Sequence, residues 1–117
     1  MDQKSNDVGP APDQGVYGIG VVADLVGTAT QNLRAYERAG LVNPARTGGG
    51  TRLYSPDDVA RIRRVQNLLT EGLNLAGIAQ VMELQDDVRR LRAELAEHVA
   101  ADEDRRAGRR ESAPGDR

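Results

Sequence analysis

Two short helical patterns with only three residues between them leave this chain few folds to choose from. Ile19, Val22, Ala23 and Val26 recur at helical spacing, with Gly20 as a modest N-cap, and the pattern stops at Gly27. A second pattern begins after Gly27-Thr28-Ala29 and carries Leu33, Tyr36 and Glu37 on one side. Two short helices joined by so brief a turn read as a helix-turn-helix. In such a pair the second helix is the one that enters the major groove of a duplex.

The local chemistry of the second helix fits that reading. Thr28 with Gln31 three residues on suggests a capping box, and Gly40 is well placed to end the helix. Gln31, Arg34 and Arg38 fall on one face at i, i+3 and i+7, opposite the apolar residues. Arg and Gln are side chains suited to reading guanine and adenine edges. A hairpin is expected next, because the β-capable stretches on either side of Gly48-Gly49-Gly50 are short. Pro44 restricts the first of its strands to a short or edge position. Arg46 and Arg52 bracket this wing.

Ser55-Pro56-Asp57-Asp58 is a compact helix start, with Ser55 as N-cap, Pro56 at the first helical position and two acids where the helix dipole favours them. Val59, Ile62, Val65 and Leu69 continue it to Gly72. Asn74 caps a following helix whose buried face is Leu75, Ile78, Val81 and Met82. Beyond it Leu84, Val88, Leu91, Leu95 and then His98 alternate at spacings of four and three, a heptad seam. Charges cover the remaining faces, so a partner helix is the natural cover for the seam. Asp86, Asp87, Arg89 and Arg90 are placed to set its register. The fold class is therefore mainly α: a winged helix-turn-helix with a small β-hairpin wing and a C-terminal coiled-coil dimerisation helix.

Composition bounds the rest. Residues 1–15 and 100–117 hold no cluster of large aliphatic residues, and both ends are expected to be disordered. That leaves a DNA-binding domain over 16–83 and a coiled-coil helix over 84–99. With no Cys and one His, thiolate metal sites are excluded and no His cluster can form. No nucleophile–base pair or phosphate loop is legible, so neither catalysis nor a cofactor is expected. No apolar run reaches membrane-spanning length. A cytoplasmic, nucleoid-associated protein is expected. The net charge of −2 conceals segregation: residues 30–64 carry seven Arg against Glu37, Asp57 and Asp58, a local charge of +4. A basic middle in an acidic chain points to a polyanion as partner.

The segment NLRAYERAGLVNPARTGGGTRLYSPDDV, residues 32–59, resembles the MerR family of bacterial transcription regulators. Arg34, Tyr36, Glu37, Arg38, Gly40, Leu41, Arg52, Leu53 and Tyr54 carry the likeness. The segment EGLNLAGIAQVMEL, residues 71–84, looks most like the family's heat-shock repressor branch. The resemblance implies a homodimer, joined by an antiparallel coiled coil, that meets an inverted-repeat operator in double-stranded DNA, most simply as a repressor. By the same resemblance Arg34, Tyr36 and Arg52 would hold the DNA backbone, and Arg38 would either join them or turn toward the fold. Ala35 stands where many members carry a first aromatic, and Asn32 where Thr is common. Larger members carry an effector domain or metal-binding Cys, so metal or drug sensing is not expected here.

The candidate DNA-binding residues are thus Thr30, Gln31, Asn32, Arg34, Tyr36, Arg38, Arg46, Thr51, Arg52 and Tyr54. Tyr54 is also expected to pack, and Tyr36 either to pack only or to pack its ring and offer its hydroxyl to a phosphate. The dimerisation residues are Leu84, Val88, Leu91 and Leu95. Arg61, Arg63 and Arg64 are equally a solvated face or further backbone contacts. Two other readings stand beside the regulator. One is a coiled-coil interaction module that recruits a chaperone or RNA polymerase. The other is a DNA-bending accessory factor with weak sequence preference.

Overall fold

The computed structural model describes residues 9–112, with side chains through residue 109. Its elements run α1 (Ile19–Val26), α2 (Thr30–Arg38), β1 (Ala45–Arg46), β2 (Arg52–Leu53), α3 (Pro56–Thr70) and α4 (Leu75–Ser112). Two units divide the chain, Met1–Gln80 and Val81–Arg117. Of the two ends expected to be disordered, residues 1–8 and 113–117 lie outside the described residues.

The turn between α1 and α2 forms as expected, but its capping differs. Gly18, not Gly20, is the N-cap of α1, and its carbonyl accepts from the N–H of Val22. Gly27 takes the left-handed conformation (φ 71°), which a side chain would strain. This swings the N–H of Thr28 back onto the carbonyl of Ala23 at 3.0 Å. Thr28 therefore belongs to the exit of α1, and Ala29 is the N-cap of α2, with no side-chain cap bond. The capping box expected from Thr28 and Gln31 does not form. Thr28 Oγ1 instead accepts from Asn32 Nδ2 at 2.8 Å.

The helix start at Ser55 is as read. Ser55 Oγ accepts from the N–H of Asp58 at 3.0 Å, and Asp58 Oδ2 accepts from the N–H of Ser55 at 2.9 Å. Along α3, Ile62 and Val65 are buried. They share the core of this unit with Val22, Leu33, Tyr36, Leu41, Val42, Tyr54 and Ile78.

The polar face of α3 closes chain ends rather than standing free. Gln66 Nε2 donates to the carbonyl of Val26 at 2.9 Å, and Arg63 Nη2 reaches that of Leu25 at 3.4 Å. These are last-turn carbonyls of α1, which have no partner within their own helix. Arg61 Nε donates to the carbonyl of Leu41, just after α2.

The hairpin is small: Ala45 pairs with Leu53 and Arg46 with Arg52, antiparallel. The N–H of Thr47 donates to the carbonyl of Thr51 at 2.9 Å and closes the loop. The segment before α1, expected to be disordered through residue 15, meets α3 at Pro12 and the hairpin at Gly15. The N–H of Asp57, in the unsatisfied first turn of α3, donates to the carbonyl of Pro12 at 2.9 Å. A Cβ on Gly15 would lie 2.8 Å from the Leu53 carbonyl oxygen, so only glycine lets the two backbones approach this closely. Tyr17 then bridges antiparallel to Tyr54.

In α4, Asn74 caps the N-terminus as read, its Oδ1 accepting from the N–H of Gly77 at 2.8 Å. Ile78 and Met82 are buried, while Leu75 and Val81 are half-buried. The helix does not stop at residue 99. It continues through residue 112, across most of the tail expected to be disordered. Lack of apolar residues does not forbid a helix held by its own ion pairs: Asp102 pairs with Arg105 at 3.3 Å and with Arg106 at 2.9 Å, and several alanines add propensity. Asp86 and Asp87 pair with Arg89 and Arg90 on the same helix, at 2.6 and 3.0 Å.

Candidate nucleic-acid interface

The candidate interface is built on α2. Leu33 and Tyr36 turn inward, with relative exposures of 0% and 5%. That burial fixes the helix's rotation and leaves Gln31, Arg34 and Arg38 exposed on the other side. Arg34 and Arg38 make no hydrogen bond or ion pair among the described residues. Asn32 is exposed and held by Thr28, and Thr30 is half-buried in the first turn. Arg34 is therefore an uncommitted guanidinium on a rod whose back is packed, an arrangement suited to a phosphate or a guanine edge.

The wing stands differently. Arg46 and Arg52 are both engaged by one carboxylate, that of Glu37 in α2. Arg52 Nε donates to Oε1 at 2.6 Å and Arg46 Nη2 to Oε2 at 2.7 Å. Arg46 Nη1 also donates to the Gly50 carbonyl at 3.0 Å, at the hairpin tip. The hydrogen bond from Arg52 holds the Glu37 carboxyl below its ordinary range. Partial burial opposes this, and Arg46 reinforces it. The same bond raises the pKa of Arg52. Thr51 is exposed beside the tip, its N–H bonded to Thr47 Oγ1 at 3.1 Å.

Two expected site residues pack their rings in the core. Tyr54 is fully buried, because its backbone is bridged to Tyr17 and its ring lies in the core. It cannot reach a duplex, and packing is its role. Its hydroxyl has no hydrogen-bond partner among the described residues, and burial pushes its pKa up. Tyr36 too is a core residue through its ring. Arg61 and Arg63 serve carbonyls of the fold, as described above.

Sequence reasoning places Glu37 on the packing side of α2 but assigns it no task. A usable signal is present. A carboxylate on an otherwise apolar face, within a basic segment, requires a cationic partner, and the wing is where cations follow.

On α4 the second unit presents a ridge. Leu84, Val88, Leu91 and Leu95 are 63%, 44%, 55% and 63% exposed, and Val99, which the heptad reading passes over, is 48% exposed. Among the described residues no group of three or more His, Cys, Asp or Glu is placed to hold a metal ion. Among the same residues no helix is long and apolar enough to cross a membrane.

Residues 17–85 match the family described as MerR HTH family regulatory protein. A putative heat shock protein HspR of Streptomyces coelicolor is 49% identical over 90 residues, which cover 76% of this chain and 60% of that protein. The HTH-type transcriptional regulator GlnR of Bacillus anthracis is 40% identical over 72 residues, covering 62% of this chain and 56% of that one. The chain thus spans less than two thirds of the length of either relative. Among solved structures, the transcription regulator PbrR691 from Ralstonia metallidurans CH34, in complex with lead(II), superposes with a TM-score of 0.57. It is 27% identical, with 82% of each chain covered.

Proposed function

Because this chain belongs to the MerR HTH family of regulatory proteins, we propose that it binds double-stranded DNA as a homodimer at an inverted-repeat operator and represses transcription there. The observation that carries this reading is the outward face of α2. Arg34 is exposed and uncommitted between Gln31 and Arg38, while Leu33 and Tyr36 lock the opposite face into the core. A helix so anchored meets a groove without rearranging, and its exposed cations displace the counterions of the phosphates.

The homodimer reading is supported by the ridge from Leu84 to Val99. It runs along a helix whose other faces are charged, so a second copy of the same ridge covers it best. Two copies then present two reading helices, and a symmetric protein selects a symmetric site. Repression asks nothing further of the chain than occupancy of a promoter.

The test begins with selection of duplexes from a randomised pool by the wild-type chain. An enriched inverted repeat is expected. Against that duplex, Arg34→Ala is expected to lower affinity about tenfold or more by fluorescence anisotropy. It should make the log affinity against log salt slope shallower by ~0.9 for each phosphate no longer neutralised, with the circular dichroism unchanged. An Arg34→Ala protein that binds like wild type would remove α2 from the interface.

A further inference from the structure

One acidic side chain in α2 takes both arginines of the wing, and these are each other's cross-strand partners. Each strand of the hairpin has only two residues, and a ladder that short does not hold its own orientation. Its base is tied to the preceding segment through Tyr17 and Tyr54. Its outer pair, Arg46 with Arg52, sets two like charges directly opposite one another, which by itself destabilises a hairpin. The Glu37 carboxylate lies between these guanidiniums, with one oxygen for each strand. Arg46 passes the hold outward to the Gly50 carbonyl at the tip. Glu37 is also three residues from Arg34 on the same helix.

We propose that Glu37 is the positioning residue that fixes the wing on α2, and so sets the spacing between Arg34 and the hairpin that a duplex must match. The second half of this statement rests on the DNA-binding reading above. Its signature is a sign. Removing a negative charge beside a bound polyanion strengthens binding to every duplex alike, if charge is all that matters. Removing a positioning group weakens binding to the selected duplex while leaving binding to random duplex unchanged or stronger.

Glu37→Gln keeps the size of the side chain and deletes the charge. Two measurements follow on the full chain. In the free protein, exchange of the Thr47 amide, which closes the hairpin loop, is expected to speed up about tenfold or more. With DNA, the ratio of affinity for the selected duplex to affinity for a random duplex at equal salt is expected to fall about tenfold. Should Glu37→Gln not fold, Arg46→Gln removes one arm of the hold, and both effects are expected in the same direction and smaller. Unchanged Thr47 exchange, or tighter binding to both duplexes in equal proportion, overturns the proposal. A wild-type chain that enriches no sequence overturns the regulator reading instead. The exchange comparison, made without DNA, then still decides whether Glu37 holds the hairpin.

Discussion

Tyr17 and Tyr54 exchange both of their backbone hydrogen bonds, the N–H of Tyr54 reaching the carbonyl of Tyr17 at 2.7 Å and the N–H of Tyr17 reaching that of Tyr54 at 3.0 Å. This bridge draws Tyr54 into the core, where its hydroxyl is buried with no partner among the described residues. An unsatisfied buried polar group costs about 1–3 kcal/mol. Tyr54→Phe removes the oxygen and keeps the ring. It is expected to raise stability by ~1 kcal/mol in urea unfolding, with the m-value unchanged. Burial holds the Tyr54 hydroxyl above its ordinary pKa of 10.0, so the folded state keeps the proton more tightly than the unfolded state. That contribution is complete below the unfolded value and is lost as pH rises through the folded one. Tyr54→Phe should therefore flatten the alkaline arm of the stability profile.

The acid arm carries the signature of Glu37. The hydrogen bond from Arg52 leads the causes that hold this carboxyl below its ordinary 4.5. The folded state thus binds the proton less tightly than the unfolded chain. Its contribution is present above the unfolded value and is lost as pH falls through the lowered folded one. Urea midpoints taken between about pH 5 and about pH 3 should drop more steeply for wild type than for Glu37→Gln. Parallel profiles would mean that the pair is not formed in solution.

Gly15 tests whether the segment before α1 is part of the fold. An added Cβ would meet the Leu53 carbonyl oxygen at 2.8 Å and the Leu53 and Ala45 side chains at 3.1 and 3.3 Å. The nearest of these is backbone, which yields least. Gly15→Ala is expected to destabilise by ~1–3 kcal/mol, seen as a lower midpoint in thermal unfolding. A melt identical to wild type would show that Gly15 leaves the hairpin at little cost.

Leu91 lies in the middle of the exposed ridge of α4. A carboxylate there would be buried by any partner helix without a compensating charge. Leu91→Asp is expected to sediment as a monomer and to lose affinity for a two-half-site duplex while its helical content is kept. Arg92→Ala, on a charged face of the same helix, should sediment as wild type does. A Leu91→Asp dimer would exclude the ridge from the interface.

What can be read from the sequence is local. Ser55-Pro56-Asp57-Asp58 specifies its helix start within four residues, and the observed bonds are the ones expected. Gly27 and Asn74 likewise act on their nearest neighbours. What cannot be read depends on distant pairings or on competition. Thr28 has a good capping side chain, but Gly27 has already committed its backbone to α1. Nothing near Pro12 announces that its carbonyl will serve Asp57. The end of α4 is not legible from apolar burial alone, because Asp102 with Arg105 and Arg106 supplies a separate source of helix stability. In the candidate site the outward face of α2 is legible from its period. The state of the wing is not, because Arg46 and Arg52 read as free cations until Glu37 is placed between them.

The donors that α3 extends to neighbouring chain ends alter how the basic middle of this sequence should be counted. Arg63 and Gln66 are spent on α1, and Arg61 is spent on the carbonyl after α2. If this surface binds a duplex as proposed, a formal tally of guanidiniums therefore overstates the number of cations it would release there. The ionic-strength dependence of binding should be gentler than the arginine content suggests, and substitutions at Arg61 or Arg63 should register in calorimetry of the free protein before they register in complex formation.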